Sequence, residues 1–335
     1  MGSGDSRRDL IIGAPGSGSI PGAVFVLFGG VERSGEILLS EANAIITSSE
    51  AGNRFGTSTA AGNVLSLEGA SPVNLVIGAP GALGNRGAVY LMTAGFADGT
   101  STTDASAALR ILGAAGDELG TAVATADLDL DGYREMILGA PGNGRIYVIA
   151  GAPGLSGTLD LSVTAPLRTY AAPGIGGAIA TGDITGDTIA DVVAGAAAQN
   201  VVYVFAGGES IPVTPFATLS GIDADDEAGA AVRVVDLDGD GQQDLVMTAP
   251  GADGPVNDRA NAGEAYVIFG PVAGGARSLS LANVLFIGAT ASMRLGDGIT
   301  AGDINRDTAD DLALLGSGGA AGGGQLEIYY GRGRA

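Results

Sequence analysis

The sequence predicts an all-β fold made of six copies of one four-stranded unit, and three observations indicate it. An apolar phrase of the form Leu-Val-Ile-Gly-Ala-Pro recurs in six versions, which begin at residues 9, 74, 135, 191, 244 and 311. A second phrase of the form Gly-Ala-Val-Tyr-Val follows each of them. Successive copies begin 53 to 67 residues apart. Internal repetition at such a period is typical of propellers and solenoid arrays.

The two phrases predict the central strands of each unit. Both are short, rich in β-branched residues and bounded by Gly or Pro, which favours buried strands over helices. The first phrase occupies residues 9–15, 74–80, 135–141, 191–197, 244–250 and 311–317. The second phrase occupies residues 22–29, 87–92, 144–151, 201–207, 263–270 and 325–331.

Two further strands complete the predicted unit. Runs of small residues at 120–126 and 229–235 suit a crowded innermost strand, and weaker segments at 105–112, 158–170 and 216–222 supply a fourth. Four antiparallel strands in a unit of this length form the blade of a β-propeller. We therefore expect one β-propeller domain over residues 1–335 with six blades. A seven-bladed parent is the alternative, because the first unit lacks its inner strand and the last its outer strand.

Acidic loops lead into several of the first phrases. Oxygen-bearing groups at positions 1, 3, 5 and 9, with a backbone carbonyl at position 7, match the six to eight oxygens that Ca²⁺ takes. The predicted ligands, in that order of positions, are Asp127, Asp129, Asp131, Tyr133 and Glu135; Asp183, Thr185, Asp187, Ile189 and Asp191; Asp236, Asp238, Asp240, Gln242 and Asp244; Asp303, Asn305, Asp307, Ala309 and Asp311.

The four loops differ in their donors. Those at 127–135 and 236–244 are acidic at all four side-chain positions, whereas Asn305 and Thr185 replace the carboxylate at position 3 of the others. Residues 63–74 have no such ladder. An EF-hand needs a twelve-residue loop between helices, and Mg²⁺ prefers rigid octahedra that retain water, so both fit less well than Ca²⁺ between strands.

The order of these motifs resembles the FG-GAP repeat family, the blades of the integrin α-subunit propeller and its bacterial relatives. Phe55-Gly56 supplies the first half of the motif, and the Gly-Ala-Pro of the first phrase supplies the second. Softened versions of the first half are Leu119-Gly120, Ile175-Gly176, Ala228-Gly229 and Leu295-Gly296. The resemblance covers essentially the whole chain. It implies that the acidic loops join the first and second strands of a blade and bind calcium structurally.

Composition excludes several kinds of function. The net charge of −21 disfavours nucleic acid and anionic membrane surfaces, since both need basic patches. The chain has no His, Cys or Lys, which removes catalytic triads, thiol nucleophiles, zinc hydrolase sites and Schiff bases. A glycosidase with paired carboxylates survives this filter. We interpret the remaining acidic clusters, at 117–118 and 223–227, as solvated turns and expect no catalytic residues.

The sequence favours a binding or adhesion module for a protein or glycan ligand, with no membrane insertion. Loops at 15–21, 81–86 and 252–262 are the candidate binding surface, because propellers concentrate function in their connecting loops. A purely structural or assembly module of a larger surface protein is the alternative. Loops with few ligands need the calcium found outside cells, at the cell surface or in the periplasm. Residues 1–4 read as an added leader or an internal start, and the chain as part of a longer polypeptide.

Overall fold

The computed structural model describes residues 9–29, 35–69, 73–93, 95–318 and 324–331. These residues form two compact units, the first comprising Met1–Asp127 and Asp131–Ala171 and the second Leu128–Leu130 and Ala172–Ala335. The expectation of a single domain stays a prediction. Residues 1–4, which the sequence suggests are a leader, lie outside the described part of the chain.

The first unit contains thirteen strands in three sheets. Their bounds are β1 (Leu10–Ala14), β2 (Pro21–Leu27), β3 (Ala44–Ala51), β4 (Ser58–Gly62), β5 (Asn74–Ala79), β6 (Ala88–Met92), β7 (Thr100–Thr103), β8 (Leu109–Leu112), β9 (Val123–Ala126), β10 (Glu135–Ala140), β11 (Arg145–Ile149), β12 (Gly157–Asp160) and β13 (Arg168–Ala171). A tight turn at Ala82–Asn85, with left-handed φ of 51° at Leu83 and 67° at Gly84, links β5 to β6, and short 3₁₀ turns lie at Leu39–Glu41, Asp104–Ser106 and Pro141–Asn143.

The second unit contains twelve strands in three more sheets. Their bounds are β14 (Ala178–Gly182), β15 (Asp191–Ala196), β16 (Val201–Phe205), β17 (Ala217–Ser220), β18 (Val232–Val235), β19 (Asp244–Ala249), β20 (Glu264–Ile268), β21 (Gly275–Ser278), β22 (Val284–Ile287), β23 (Leu295–Gly302), β24 (Asp311–Gly316) and β25 (Gln325–Tyr329). Its 3₁₀ turns lie at Ala197–Gln199 and Leu279–Leu281.

The six sheets confirm the predicted blades. In chain order the sheets are β1-β2-β3-β7, β4-β5-β6-β8-β12, β9-β10-β11-β13, β14-β15-β16-β17-β21, β18-β19-β20-β22 and β23-β24-β25. Each contains one strand of the first phrase paired antiparallel with the strand of the second phrase that follows it. The all-β propeller class and the number of six blades are thereby confirmed. Among the described residues, the first sheet has no inner strand and the last no outer strand.

Three sheets carry an additional strand that the sequence did not predict. Strands β7, β12 and β21 each pair in parallel with the outer strand of the preceding sheet, respectively β3, β8 and β17. Each lies in the connection between the third and fourth strands of its own repeat. The fourth strand expected within residues 158–170 is β13, which closes the third blade, whereas β12 at the start of that segment joins the sheet of β8.

Apolar residues from consecutive sheets pack together within each unit. The first unit has one cluster around Val24, Ile46 and Ile77 and another around Leu91, Ile111 and Leu138. The second unit has corresponding clusters between its own neighbouring sheets. Because the first-phrase strands β5, β10, β15 and β19 are buried along their whole length, they read in sequence as continuous apolar runs.

Among the described residues, no helix has the length and apolar character that crossing a bilayer requires.

Candidate metal centres

The four acidic loops share one backbone shape. Positions 4 and 6 have positive φ in every loop. In the loop at 127–135 the values are 64° at Leu130 and 86° at Gly132, and in the loop at 303–311 they are 65° at Arg306 and 81° at Thr308. Glycine adopts this conformation without penalty, whereas a β-branched side chain in it is strained. Glycine fills position 6 in the loops at 127–135 and 236–244, but Thr188 and Thr308 occupy it in the other two.

Two hydrogen bonds recur in all four loops. The position-1 carboxylate accepts the N–H of position 6, at 3.0 Å from Gly132 to Asp127 and 2.8 to 3.1 Å in the other loops. The position-5 carboxylate accepts the N–H of position 7, at 2.8 Å in the loop of Asp240 and 2.9 Å in that of Asp187. The loops therefore adopt one curled conformation regardless of the residue at position 3.

The position-9 carboxylate joins the loop to its blade. It is buried in every loop, and Asp191, Asp244 and Asp311 each accept the N–H of position 2 at 2.8 to 2.9 Å. In these three loops the second oxygen accepts the N–H of the glycine two residues after the second-phrase strand, for example Gly270 at 2.9 Å from Asp244. Burial raises the pKa of Asp191 and of Asp244, while these hydrogen bonds oppose the rise. Both carboxyls therefore lie where a cation would favour their charged form.

Sequence reasoning missed the partner glycine, although its recurrence was visible. Gly207, Gly270 and Gly331 end the second phrase and donate to position 9 of their own loops at 2.9 to 3.0 Å. A Cβ at any of them would overlap the carbonyl oxygen of position 8, because the two backbones touch there. This close approach explains why the second phrase ends in glycine.

Two loops bring three carboxylates together. Asp127, Asp129 and Glu135 each place an oxygen within 4.8 Å of the others, and Asp236, Asp238 and Asp244 do the same. Carboxylates at this separation repel one another unless a cation is shared between them. Hard oxygen donors in a flexible loop fit Ca²⁺. Positions 1, 3 and 9 therefore converge as expected, whereas the position-5 carboxylates of Asp131 and Asp240 do not belong to these groups.

The other two loops offer a different donor at position 3. The hydroxyl oxygen of Thr185 is buried without a hydrogen-bond partner, so it remains available as a neutral ligand. The amide of Asn305 donates to the carboxylates of Asp307 at 2.9 Å and Asp311 at 3.4 Å. An N–H donor there satisfies acidic groups that a cation would otherwise hold. The side chains in both loops fit calcium less well than the two acidic triads.

The second repeat shows the same loop anchor without a carboxylate. Asn74 takes position 9 and accepts the N–H groups of Val64 at 3.1 Å and Leu65 at 2.9 Å. The amide of Asn63 donates to Ser66 and to the Leu67 carbonyl, each at 3.2 Å. A neutral amide therefore suffices to anchor this connection, and the absence of an acidic ladder predicted for residues 63–74 agrees with its hydrogen bonds.

Two acidic residues outside the loops are buried, contrary to the interpretation as solvated turns. Asp117 accepts hydrogen bonds from the Ala114 N–H at 2.7 Å and the Tyr147 hydroxyl at 2.9 Å. Asp226 accepts the Asp223 N–H at 3.1 Å, and burial raises its pKa. These carboxylates close turns at 114–117 and 223–226, each before an inner strand. The two turns are therefore equivalent in position, as expected, but their acidic side chains are not solvated.

Comparison with known repeats identifies the family of these blades. The model of the FG-GAP repeat matches residues 119–149 and 228–268, and that of the FG-GAP-like repeat matches residues 183–247. The chain contains FG-GAP repeats in these segments. The matched segments contain the acidic loops at 127–135, 183–191 and 236–244, so the family match includes both carboxylate triads.

Two curated relatives are similar to part of this chain. Phosphatidylinositol-glycan-specific phospholipase D of Rattus norvegicus is 33% identical over 159 residues, which cover 41% of this chain and 19% of that protein. Integrin alpha-IIb of Mus musculus is 36% identical over 108 residues, which cover 31% of this chain and 10% of that protein. The chain thus spans about a fifth or less of the length of these relatives. One is an enzyme by name and the other is not.

A solved structure covers nearly the whole chain at low similarity. It is the crystal structure of BBS1N in complex with ARL6DN, soaked with lead, with a TM-score of 0.49, 10% identity and coverage of 97% of this chain and 79% of that one.

Proposed function

We propose that this FG-GAP chain is a calcium-stabilised extracellular binding module without catalytic activity of its own. The convergence of three carboxylates in each of two loops supports calcium most directly. Each loop lies between the inner and second strands of a blade, so a cation there would hold two strands in place. The ion would supply charge neutralisation and oxygen coordination to Asp127, Asp129 and Glu135, and to Asp236, Asp238 and Asp244.

Calcium binding is tested by thermal unfolding with and without chelator. A ligand that binds only the folded state stabilises it by about 2.7 kcal/mol per site at a hundred times its Kd. We expect excess EDTA to lower the melting temperature clearly and calcium to restore it. Asp238→Asn should remove part of this response, whereas Asn63→Ala, in the loop without an acidic ladder, should leave it unchanged. A melting temperature indifferent to EDTA would contradict calcium binding.

An extracellular, cell-surface or periplasmic location follows from the same chemistry. Loops that bind calcium weakly are filled only where calcium is abundant, as it is outside cells. Titration calorimetry decides this point, because dissociation constants far below extracellular calcium would remove the argument.

The connecting loops are the proposed docking surface for a protein or glycan partner. Three of them each present an aliphatic side chain to solvent, since Ile20 is 63%, Leu83 45% and Val256 75% exposed. The shorter connections after β10 and β15 lack such a side chain. Single exposed aliphatics are ordinary on surfaces, but their placement on connecting loops matches the places where propellers carry function.

A protein and glycan array probed with the chain tests this binding role. Val256→Ser should weaken capture without changing the melting temperature, and Val213→Ser, at a similarly exposed aliphatic outside these loops, is the matched control. Absence of any partner would favour the purely structural module. A metal-dependent hydrolase activity that Asp236→Ala abolishes in a folded protein would instead show catalysis.

A further inference from the structure

A polar cavity of about 300 Å³ lies on the outer strands of the first unit. Tyr90, Arg110 and Thr158 are register partners across β6, β8 and β12, so their side chains form one row on the same face. The end of β3 and the turn after β7 face this row and contribute Glu50 and Asp104. Because β7 pairs in parallel with β3 and β12 pairs in parallel with β8, these two additional strands build two walls of the cavity.

Arg110 presents unused donors to this cavity. Its Nε and Nη2 groups are buried and have no hydrogen-bond partner, and the nearest carboxylate oxygen, of Glu50, is 3.8 Å from Nη2. The guanidinium carbon lies 5.5 Å from the centre of the Tyr90 ring, which holds the side chain in place. Buried donors are nearly always satisfied in folded proteins, so two parallel N–H groups without an acceptor indicate a missing partner.

The acceptors of the cavity restrict the charge of that partner. Asp104 already accepts the Ser49 N–H at 3.0 Å and the Ser48 hydroxyl at 3.3 Å, while the half-exposed Glu50 carboxylate makes only the long approach to Arg110. Two carboxylates beside one guanidinium leave a net negative charge, which repels a free anion. A hydroxyl group satisfies both sides, because it accepts from Arg110 and donates to Glu50.

We propose that this cavity binds a neutral sugar residue. Adjacent hydroxyls would accept from the Arg110 fork and donate to Glu50, with Thr158 at the open rim. Burial raises the pKa of Tyr90 to about 12, so its hydroxyl keeps its proton at neutral pH. The volume lies at the small end of ligand pockets and suits a single ring. The proposal rests on the binding role proposed above but adds a ligand class and a place away from the connecting loops.

The corresponding row of the second unit serves as an internal comparison. Tyr203, Thr218 and Ala276 are register partners across β16, β17 and β21, in the same arrangement of outer strand and parallel strand. There threonine replaces Arg110 and alanine replaces Thr158. The guanidinium fork is therefore a departure in one blade and not a requirement of the parallel strand.

A titration followed by ligand-observed NMR tests the proposal. The ligands are free methyl glycosides of neutral hexoses and of their uronic acid counterparts, and they are added to the calcium-saturated chain. We expect saturable binding of at least one neutral sugar, weakened about tenfold or more by Arg110→Gln. Thr158→Val should weaken the binding of the neutral sugar several-fold. Thr218→Val, the same substitution in the corresponding row of the second unit, should have no effect. Glu50→Gln should weaken the neutral sugar and strengthen the uronate.

Three results would contradict the proposed sugar site. The first is no saturable binding of neutral sugars, and the second is binding that Arg110→Gln and Thr158→Val leave unchanged in folded protein. The third is tighter binding of the uronate than of the neutral sugar by the wild-type chain. The protein and glycan array distinguishes failure of the sugar site from failure of the proposed binding role. A partner that still requires Val256 when the cavity variants bind normally leaves the proposed function standing, whereas loss of all partners removes it.

Discussion

The loops at 236–244 and 183–191 have the same conformation but different charge. Both have positive φ at positions 4 and 6 and the same hydrogen bonds at positions 1, 5 and 9. Yet Asp238 makes the first loop a carboxylate triad, whereas Thr185 leaves the second without one. The hydrogen bonds therefore set the backbone shape, whereas position 3 sets the charge of the loop. The Asn74 connection, anchored without charge, supports the same separation.

The largest effect should come from removing the anchor itself. Asp244→Ala leaves the N–H groups of Leu237 and Gly270 buried without acceptors, which should cost about 3 kcal/mol of stability even in EDTA. Asp244→Asn keeps one of the two acceptors, so it should cost less in EDTA but reduce the gain from calcium. Denaturant unfolding measures both. Equal losses for the two variants in EDTA would show that charge, not hydrogen bonding, shapes the loop.

The second effect separates position 5 of the two loops. Asp240→Ala and Asp187→Ala each remove one hydrogen bond, of 2.8 and 2.9 Å, so their costs in EDTA should agree within about 0.5 kcal/mol. In saturating calcium Asp240→Ala should cost more by about 1 kcal/mol or above, because its loop binds the ion more tightly. Thermal melts of both variants under both conditions decide it. The comparison breaks if the two costs stay equal in calcium.

The third effect is a pH dependence of stability whose sign differs between the calcium-free and the calcium-bound chain. Burial raises the folded-state pKa of Asp191 and Asp244, so without calcium their contribution to stability is present below the ordinary Asp value of about 3.9 and is lost as the pH rises through the raised pKa. Bound calcium favours the charged carboxylates, so stability should instead rise with pH. Melts across this range in EDTA and in calcium measure both slopes. Asp244→Asn should flatten them, which separates this titration from general repulsion at a net charge of −21.

The smallest effect concerns position 6. Thr188 holds φ at 73° and Thr308 at 81°, which strains a β-branched residue by about 1 kcal/mol. Thr188→Gly should therefore stabilise the chain by roughly that amount, reduced by the entropy of glycine in the unfolded state. Gly241→Thr is the reverse substitution and should destabilise. Denaturant midpoints measure both, and a destabilising Thr188→Gly would show that the threonine side chain makes a compensating contact.

Sequence predicted the central strands because their signals are local. The first phrase forms a strand in all six copies, and four of these strands are buried along their whole length. The parallel strands escaped prediction for the opposite reason: Thr100–Thr103 is entirely polar, and its partner Thr47 lies more than fifty residues away. In the loops, alternation placed positions 1, 3 and 9 together correctly in two cases. The role of Gly270 was hidden because its requirement comes from a backbone brought close only by folding.

The parallel strands also affect how this array can be cut or shuffled. The unit of repetition in the gene and the unit of structure are out of phase, because β7, β12 and β21 belong to one repeat in sequence and to the preceding sheet in space. Deleting one repeat at its first-phrase boundary would strip the outer edge of its neighbour and expose a row of unpaired backbone groups. A shortened or extended array therefore needs junctions placed after the borrowed strand, so that each sheet retains its cover.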